Sequence, residues 1–272
     1  MIMRDKYKQK GFTLVELAIV LVIVGVLLGG FITTLASRIE STQRSDTQEQ
    51  LEDIKLAILG FAATYGRIPC PAVANPAIAT EAGLEQPDGG GTCDSAHGFV
   101  PGRTLGLNGS YNRDNLLVDT WGNPIRYSVT NDSDFTTAGG IAATGMGGVG
   151  PDLIVCNGDS ANTASCSAGL TTLVGNAPFV ILSLGKDGNE FVGRFTADNA
   201  NADTDQGENS AEIDVAPNAV GENLAYSVGN NRVFVSKSYV GVGATADQFD
   251  DIIVWVSPYI LYSRMIEAEQ LP

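Results

Sequence analysis

The segment KGFTLVELAIVLVIVGVLL, which runs from Lys10 to Leu28, decides how this chain is organised. It opens an apolar stretch from Phe12 to Ala36 in which Glu16 is the only charged residue. As a helix rising 1.5 Å per residue, this stretch would measure about 37 Å, enough to cross a bilayer with some tilt. The stretch therefore predicts a membrane-spanning helix near the N-terminus.

The residues ahead of this helix predict its orientation. They include four bases, namely Arg4, Lys6, Lys8 and Lys10, so the N-terminus is expected to stay cytoplasmic and the rest of the chain to lie outside. An ordinary signal peptide is cut after a shorter apolar region. Here the candidate cut, after Gly11, precedes the apolar helix and would leave that helix in the mature protein. A plain signal anchor is the alternative, and it requires neither Gly11 nor Glu16.

Glu16 is the most informative residue of the segment. A charge within the hydrocarbon is costly and usually marks a function. Cleavage after Gly11 would create a free amine on Phe12, and in a bundle of staggered helices Glu16 of one copy would neutralise the amine of its neighbour. Losing one partner of such a buried pair costs several kcal/mol. An acid at this position therefore has a physical purpose in an assembly of helices.

The segment Lys10–Leu28 resembles the processing motif of type IV pilins and type II secretion pseudopilins. The resemblance implies that a prepilin peptidase cuts between Gly11 and Phe12 and then methylates Phe12, and that Glu16 is the assembly glutamate. It also implies a single-pass inner-membrane precursor with a periplasmic head. An inner-membrane assembly platform would then build many copies into a filament, in the periplasm or on the cell surface.

Helical periodicity continues beyond the apolar stretch and predicts one face packed on a head, formed by Leu51, Ile54, Ile58, Phe61 and Tyr65. Gly66 is a natural C-cap and Pro69 prevents continuation, so the helix is expected to end near Tyr65. The predicted organisation is a leader (1–11), a membrane or filament-core helix (12–36), an amphipathic continuation (37–66) and a globular head (67–272).

The head is predicted to be α+β, with a small antiparallel sheet laid on the first helix as in the pilin fold. Residues 67–115 are rich in Gly, Pro, Asn and Asp and are expected to form long loops. Short apolar or β-branched runs predict strands at 125–129, 152–156, 179–184, 232–235 and 252–256. A last helix would begin at Pro258 and run to Glu269. The Gly-rich run at 139–150 is expected to be a flexible loop, and Trp121 and Trp255 to serve the core.

Four cysteines, Cys70, Cys93, Cys156 and Cys166, in a chain with an export signal suggest disulfides. Three connectivities are possible, and proximity along the chain favours Cys70–Cys93 with Cys156–Cys166. Each bond would stabilise a loop-rich segment by roughly 2–4 kcal/mol. A zinc site is the alternative, but the sequence has no CxxC pair and one histidine.

Two segments of the head also resemble the major pseudopilin of type II secretion: DTWGNPIRYSV at 119–129, and FVILSLGKDGN at 179–189 with FDDIIVWVS at 249–257. In that family the second region forms a calcium-binding loop. The resemblance implies Asp187 and one of Asp250 or Asp251 as calcium ligands, with the Leu184 carbonyl as a further one. The alternative is a plain β-turn, and here a long Asp- and Asn-rich insertion separates the two elements. Within it, NADTDQGENSAE at 201–212 partly follows an EF-hand loop.

The formal net charge of −15 argues against nucleic-acid binding, which depends on clustered Lys and Arg. An enzyme is not expected, because the single histidine, His97, lies in a Gly-rich loop where it is expected to be exposed, and no GxSxG, P-loop or GxGxxG motif accompanies it. The sequence thus predicts a structural filament subunit. A pilus-displayed adhesin or ligand-binding minor pilin is the alternative, and a membrane-anchored periplasmic enzyme is the more distant one.

Overall fold

The computed structural model describes residues 13–73, 81–87, 89–158, 165–186, 232–240 and 249–272, with the side chains of 27–37 left out. The chain divides into two compact units, Met1–Gln43 and Arg44–Pro272. The predicted boundaries at 11, 36 and 66 remain predictions. Both units share helix α1, Leu14–Tyr65, which is the first element of the fold.

In the second unit, helix α1 buries the predicted stripe. Leu51, Ile54 and Ile58 are fully buried and Phe61 nearly so. Tyr65, which was predicted to share this face, lies in the last turn and is 56% exposed, with its ring centroid 4.4 Å from that of Phe61 in a tilted arrangement. The helix ends at Tyr65 as predicted. Gly66 follows at φ +66° and donates its amide to the Ala62 carbonyl at 2.9 Å, a left-handed cap.

The first sheet contains four antiparallel strands in the order β1-β2-β5-β7, which are His97–Phe99, Arg126–Val129, Phe179–Ser183 and Ile252–Trp255. Strand β5 is buried along its whole length, as its continuous apolar sequence indicates. Its alternating side chains serve both faces: Phe179 and Ile181 contact the cluster around helix α1, whereas Val180 and Leu182 lie in a second cluster.

A second, three-stranded sheet explains that second cluster. Its order is β4-β3-β6, which are Thr172–Ala177, Leu153–Cys156 and Val233–Val235. Leu153, Val155 and Phe234 meet the outer face of the first sheet in the second cluster. The described head is therefore layered as helix α1, first sheet and second sheet, with an apolar cluster in each gap.

The α+β class and the antiparallel sheet packed on helix α1 are confirmed, but the second sheet was not predicted. Strands β3 and β6 pair in parallel, with Val155 opposite Phe234. Strands β1 and β4 were not predicted: β1 has three residues, and β4 (TLVGNA) is mostly exposed and irregularly registered against β3. Neither strand offers the alternating apolar pattern on which a sequence-based prediction depends.

Two smaller elements complete the described fold. The Gly-rich run at 139–150 was predicted to be a flexible loop, and this is wrong in part because it contains helix α2, Gly140–Thr144, in which Ile141 is buried. The final helix, α3, spans Pro258–Glu267 with Pro258 at its start, close to the prediction. Trp121 and Trp255 are partly buried, each against a different apolar cluster.

Candidate functional site

The start of helix α1 forms a capping box. The Thr13 hydroxyl accepts a hydrogen bond from the Glu16 amide at 3.2 Å, and Glu16 Oε2 accepts from the Thr13 amide at 3.1 Å and from its hydroxyl at 3.0 Å. Thr13 is thus the N-cap and Glu16 the third helical residue, the spacing of an S/T-x-x-E box. The sequence TLVE carries this signal, which our sequence reasoning overlooked. Gly11 and Phe12 lie outside the described residues.

Beyond the cap, the apolar side chains of helix α1 up to Val26 have no partner layer among the described residues of the first unit. All the residues from Leu14 to Val26 are exposed, and Leu14 reaches 86%. Exposed apolar area of this extent marks a surface that other molecules cover. In the parts of the chain that the structure describes, no helix contains an apolar run long enough to span a bilayer.

Both favoured cysteine pairings are present as disulfides, Cys70–Cys93 and Cys156–Cys166. The first lies beside a buried ion pair between Arg67 and Glu85, whose nitrogen and oxygen atoms approach to 2.7 Å. Glu85 also accepts a hydrogen bond from the Cys70 amide at 3.0 Å. The ion pair and the disulfide together fix the segment that leaves helix α1.

A polar turn lies at one end of the first sheet. Asp119 Oδ1 accepts hydrogen bonds from the amides of Trp121 and Asn123, both at 2.9 Å, and Asp119 Oδ2 accepts from Ser183 Oγ at 2.5 Å. Burial raises the pKa of the Asp119 carboxyl, although these hydrogen bonds oppose the rise. Asn123 Nδ2 donates to the Gly185 carbonyl at 2.5 Å. The turn therefore holds the end of strand β5 and the residues that follow it.

Of the residues implied as calcium ligands, the structure describes three, namely Leu184, Asp250 and Asp251. Asp250 and Asp251 are both buried, and Asp250 Oδ2 accepts from the Lys186 amide at 2.7 Å. The Asp250 side chain also fills the space where a Cβ on Gly185 would stand, so only glycine fits there. The segment after β5 and the segment before β7 are therefore in contact, despite the insertion between them.

The remaining metal candidates are not brought together in the described chain. Asp187 and the EF-hand-like stretch at 201–212 lie outside it. Across the described ranges, no three His, Cys, Asp or Glu side chains are grouped so as to hold a metal ion. One oxygen is notable, because Asn123 is 1% exposed and its Oδ1 has no hydrogen-bond partner. Carboxylate and amide oxygens are suitable calcium ligands, so the donor chemistry at this end of the sheet fits the ion.

The prediction that His97 is exposed is wrong. It lies on strand β1, is 7% exposed, and its Nδ1 is 2.8 Å from Ser128 Oγ on strand β2. Burial lowers the pKa of His97 to about 3, so the ring is neutral near pH 7. The burial of His97 could not be predicted from sequence, because a three-residue strand inside a Gly-rich region has no periodic apolar pattern.

Comparison with protein-family models gives one match. Residues 6–32 match the prokaryotic N-terminal methylation motif, which is the prepilin-type signal of type IV pilins and pseudopilins. Glu16 and the capping box both lie within the matched range. The comparisons with curated proteins and with solved structures found no match. The motif implies a membrane-anchored precursor of the pilin type.

Proposed function

Proceeding from the prepilin-type signal at residues 6–32, we propose that this chain is a structural subunit of a type IV pilus-like or type II secretion pseudopilus filament. The signal is the observation that carries the proposal. The exposed apolar surface of helix α1 from Leu14 to Val26 supports it, because such a surface requires lipid or other helices around it. The protein is held in the inner membrane as a precursor and then enters the filament.

The chemistry of assembly follows from the N-terminal residues. Prepilin peptidase removes residues 1–11, methylates the new amine of Phe12 and leaves it near the start of helix α1. In the filament core, Glu16 of one subunit neutralises the Phe12 amine of its neighbour. This pairing fixes the axial register between neighbouring subunits. A subunit shifted along the filament would leave a buried charge without its partner, at a cost of about 3–5 kcal/mol. The inner-membrane platform lifts the helix from one apolar environment to another.

The proposed role is structural and not enzymatic. The head has one histidine, and His97 is buried beside Ser128 with its pKa lowered to about 3. A histidine in that state is a poor general base at neutral pH. The cysteines at 70, 93, 156 and 166 are joined in disulfides and offer no thiolate nucleophile.

Mass spectrometry of filaments sheared from cells tests the proposal. A peptide beginning at N-methylated Phe12 is expected in the filament fraction, and a Glu16→Ala chain should be processed but absent from filaments. If the peptide is confined to membranes, the subunit belongs to a short periplasmic pseudopilus. A membrane protein that retains residues 1–11, or normal filament entry of the Glu16→Ala chain, contradicts the proposal.

We propose in addition that the head holds a calcium ion beside the segment after strand β5. Buried Asp250 and Asp251 and the unpaired Oδ1 of Asn123 support this role. Calcium at a hundred times its Kd would then stabilise the head by about 2.7 kcal/mol relative to chelator, read from denaturation midpoints. Asp250→Asn should abolish the difference while retaining an acceptor for the Lys186 amide. An equal midpoint with calcium and chelator would favour a plain turn.

A further inference from the structure

An acidic groove on the second unit has no role in what is described above. It has a volume of about 260 Å³ and lies between helix α1 and the loop that holds Leu107 and Asn108. Its floor is apolar, formed by Ile54, Leu107 and Leu117. Three carboxylates on helix α1 form its rim, those of Asp46, Glu49 and Asp53.

The three carboxylates face one side of the helix, because spacings of three and four residues repeat its turn. All three are exposed, and within the described part of the chain none has a hydrogen-bond or ion-pair partner. A nearby base, Lys55, is already paired with Glu52. Gln50 also lines the groove and donates to the Val118 carbonyl at 3.0 Å. An apolar floor under unpaired carboxylates suits a Lys or Arg side chain, whose stem is apolar and whose end is charged.

This chain supplies such a side chain itself. Arg38 is exposed, and among the described bases it alone has no side-chain interaction within its own chain. The other described bases all have partners: Arg44, Lys55, Arg67, Arg103, Arg113, Arg126, Lys186, Arg232, Lys237 and Arg264. In a chain with a net charge of −15, Arg38 and the acidic groove, both without partners among the described residues, are complementary surfaces.

We propose that the groove formed by Asp46, Glu49, Asp53 and its apolar floor receives Arg38 of a second copy of this chain. The inference rests on the proposed filament function and deepens it by naming a contact between subunits. Arg38 precedes the carboxylates by eight to fifteen residues on helix α1, so parallel copies displaced along this helix would bring the two surfaces together. The two surfaces differ, and a contact between unlike surfaces propagates as an open helical assembly where it does not close into a ring.

Charge reversal in the full-length protein tests the contact. Arg38→Glu and Asp53→Lys should each lower the yield of sheared filaments by about tenfold, because each places like charges together. The double variant should recover most of the wild-type yield. Glu267→Lys is the matched control: it reverses an exposed acid on helix α3 and should leave the yield unchanged. Failure of the double variant to recover, with the control normal, would overturn the proposal.

A crosslinking experiment detects the same contact without relying on the yield of filaments. Filaments are assembled from a mixture of isotopically light and heavy Arg38→Lys chains and treated with a zero-length carbodiimide reagent. The expected product is a mixed-isotope peptide pair that joins position 38 to Asp46, Glu49 or Asp53. Filaments whose crosslinks never involve position 38 would refute the contact and leave the filament function standing. If the wild type forms no filaments at all, both proposals fail.

Discussion

Glu16 serves two purposes that an alanine substitution removes together. In the structure its carboxylate closes the capping box with Thr13, and in the proposed filament its charge neutralises Phe12 of a neighbour. Either purpose alone would explain an acid at this position. The apolar context of Glu16 indicates the second purpose, and the S/T-x-x-E spacing of Thr13 and Glu16 indicates the first.

Two substitutions separate these purposes. Glu16→Gln keeps an acceptor for the Thr13 amide but removes the charge, so it should abolish filament entry. Thr13→Ala removes the N-cap, at about 1 kcal/mol of helix stability, but keeps the carboxylate, so assembly should persist. Immunoblots of sheared and membrane fractions measure both. Normal assembly of the Glu16→Gln chain would assign Glu16 to capping alone.

The buried histidine predicts a pH dependence of stability. The folded-state pKa of His97 is about 3, against an ordinary value of 6.5, so between these pH values the unfolded chain binds the extra proton. The contribution of neutral His97 to the free energy of unfolding is therefore fully present above pH 6.5. It is lost as the pH falls, by about 1.4 kcal/mol per pH unit at most. At pH 5 the loss is roughly 2 kcal/mol relative to pH 7.

Urea denaturation at pH 7 and pH 5, with the wild type and His97→Gln compared, isolates this contribution. The wild type should lose about 2 kcal/mol more than the variant between the two pH values. Asp119 acts in the opposite direction, because its raised pKa makes the folded state take up protons first as pH falls. This effect is common to both chains and cancels in the comparison. Equal losses would mean that His97 is not desolvated.

At the scale of elements, the segment between helix α1 and strand β1 depends on polar contacts as well as on its disulfide. Arg67 and Glu85 are 6% and 2% exposed, and the Arg67 guanidinium also lies 4.9 Å from the centroid of the Phe61 ring. A buried pair of this kind is costly to break on one side, because the remaining charge has no counterion.

Glu85→Gln should therefore destabilise the head by about 3–5 kcal/mol, measured by denaturant unfolding of the full-length protein. Combining Arg67→Met with Glu85→Leu should cost less than Glu85→Gln alone, because no charge remains buried. The exposed pair between Arg264 and Glu267 is the control, and its removal should change stability by less than about 0.5 kcal/mol. Additive losses at 67 and 85 would contradict a direct coupling.

Elements with a strong periodic or continuous apolar signal were predictable from sequence. The end of helix α1 at Tyr65, strand β5 and helix α3 follow from capping residues and apolar runs. Strands β1 and β4 were not predictable, because each is defined by its pairing with a neighbouring strand. Strand β1 pairs with β2, and β4 pairs with β3 in an irregular register. Strand β1 is too short and strand β4 too exposed to show the alternating apolar pattern that predicts a strand.

At the scale of the whole molecule, the sequence predicted the class and the N-terminal signal but not the second sheet. The sequences of strands β3 and β6 do not indicate that the two strands pair in parallel. This pairing depends on which strand edges meet after the long connection between them has folded. The contact between Gly185 and Asp250 has the same origin. A resemblance to known pseudopilins suggested it, whereas spacing along the chain argued against it.

The two disulfides predict how overall stability is distributed. Their closures span 23 and 10 residues, and by chain entropy each contributes about 3 kcal/mol, with slightly more from Cys70–Cys93. Replacing each pair by alanine should therefore cost similar amounts in denaturant unfolding. Cys70 and Cys156 lie in different parts of the head, so the two losses should add. A combined loss far from the sum would indicate that the two crosslinks are energetically coupled.

The parallel pairing of strand β6 with strand β3 has a kinetic consequence. Strand β3 meets its antiparallel neighbour β4 soon after both emerge, but residues 157–232 must all be present before β6 can arrive. Until then, the opposite edge of β3 is a bare backbone template exposed to other nascent chains. Pairing of β6 with β3 is therefore expected to be the slowest closure in the second sheet, and until it occurs this edge of β3 is open to pairing with other strands.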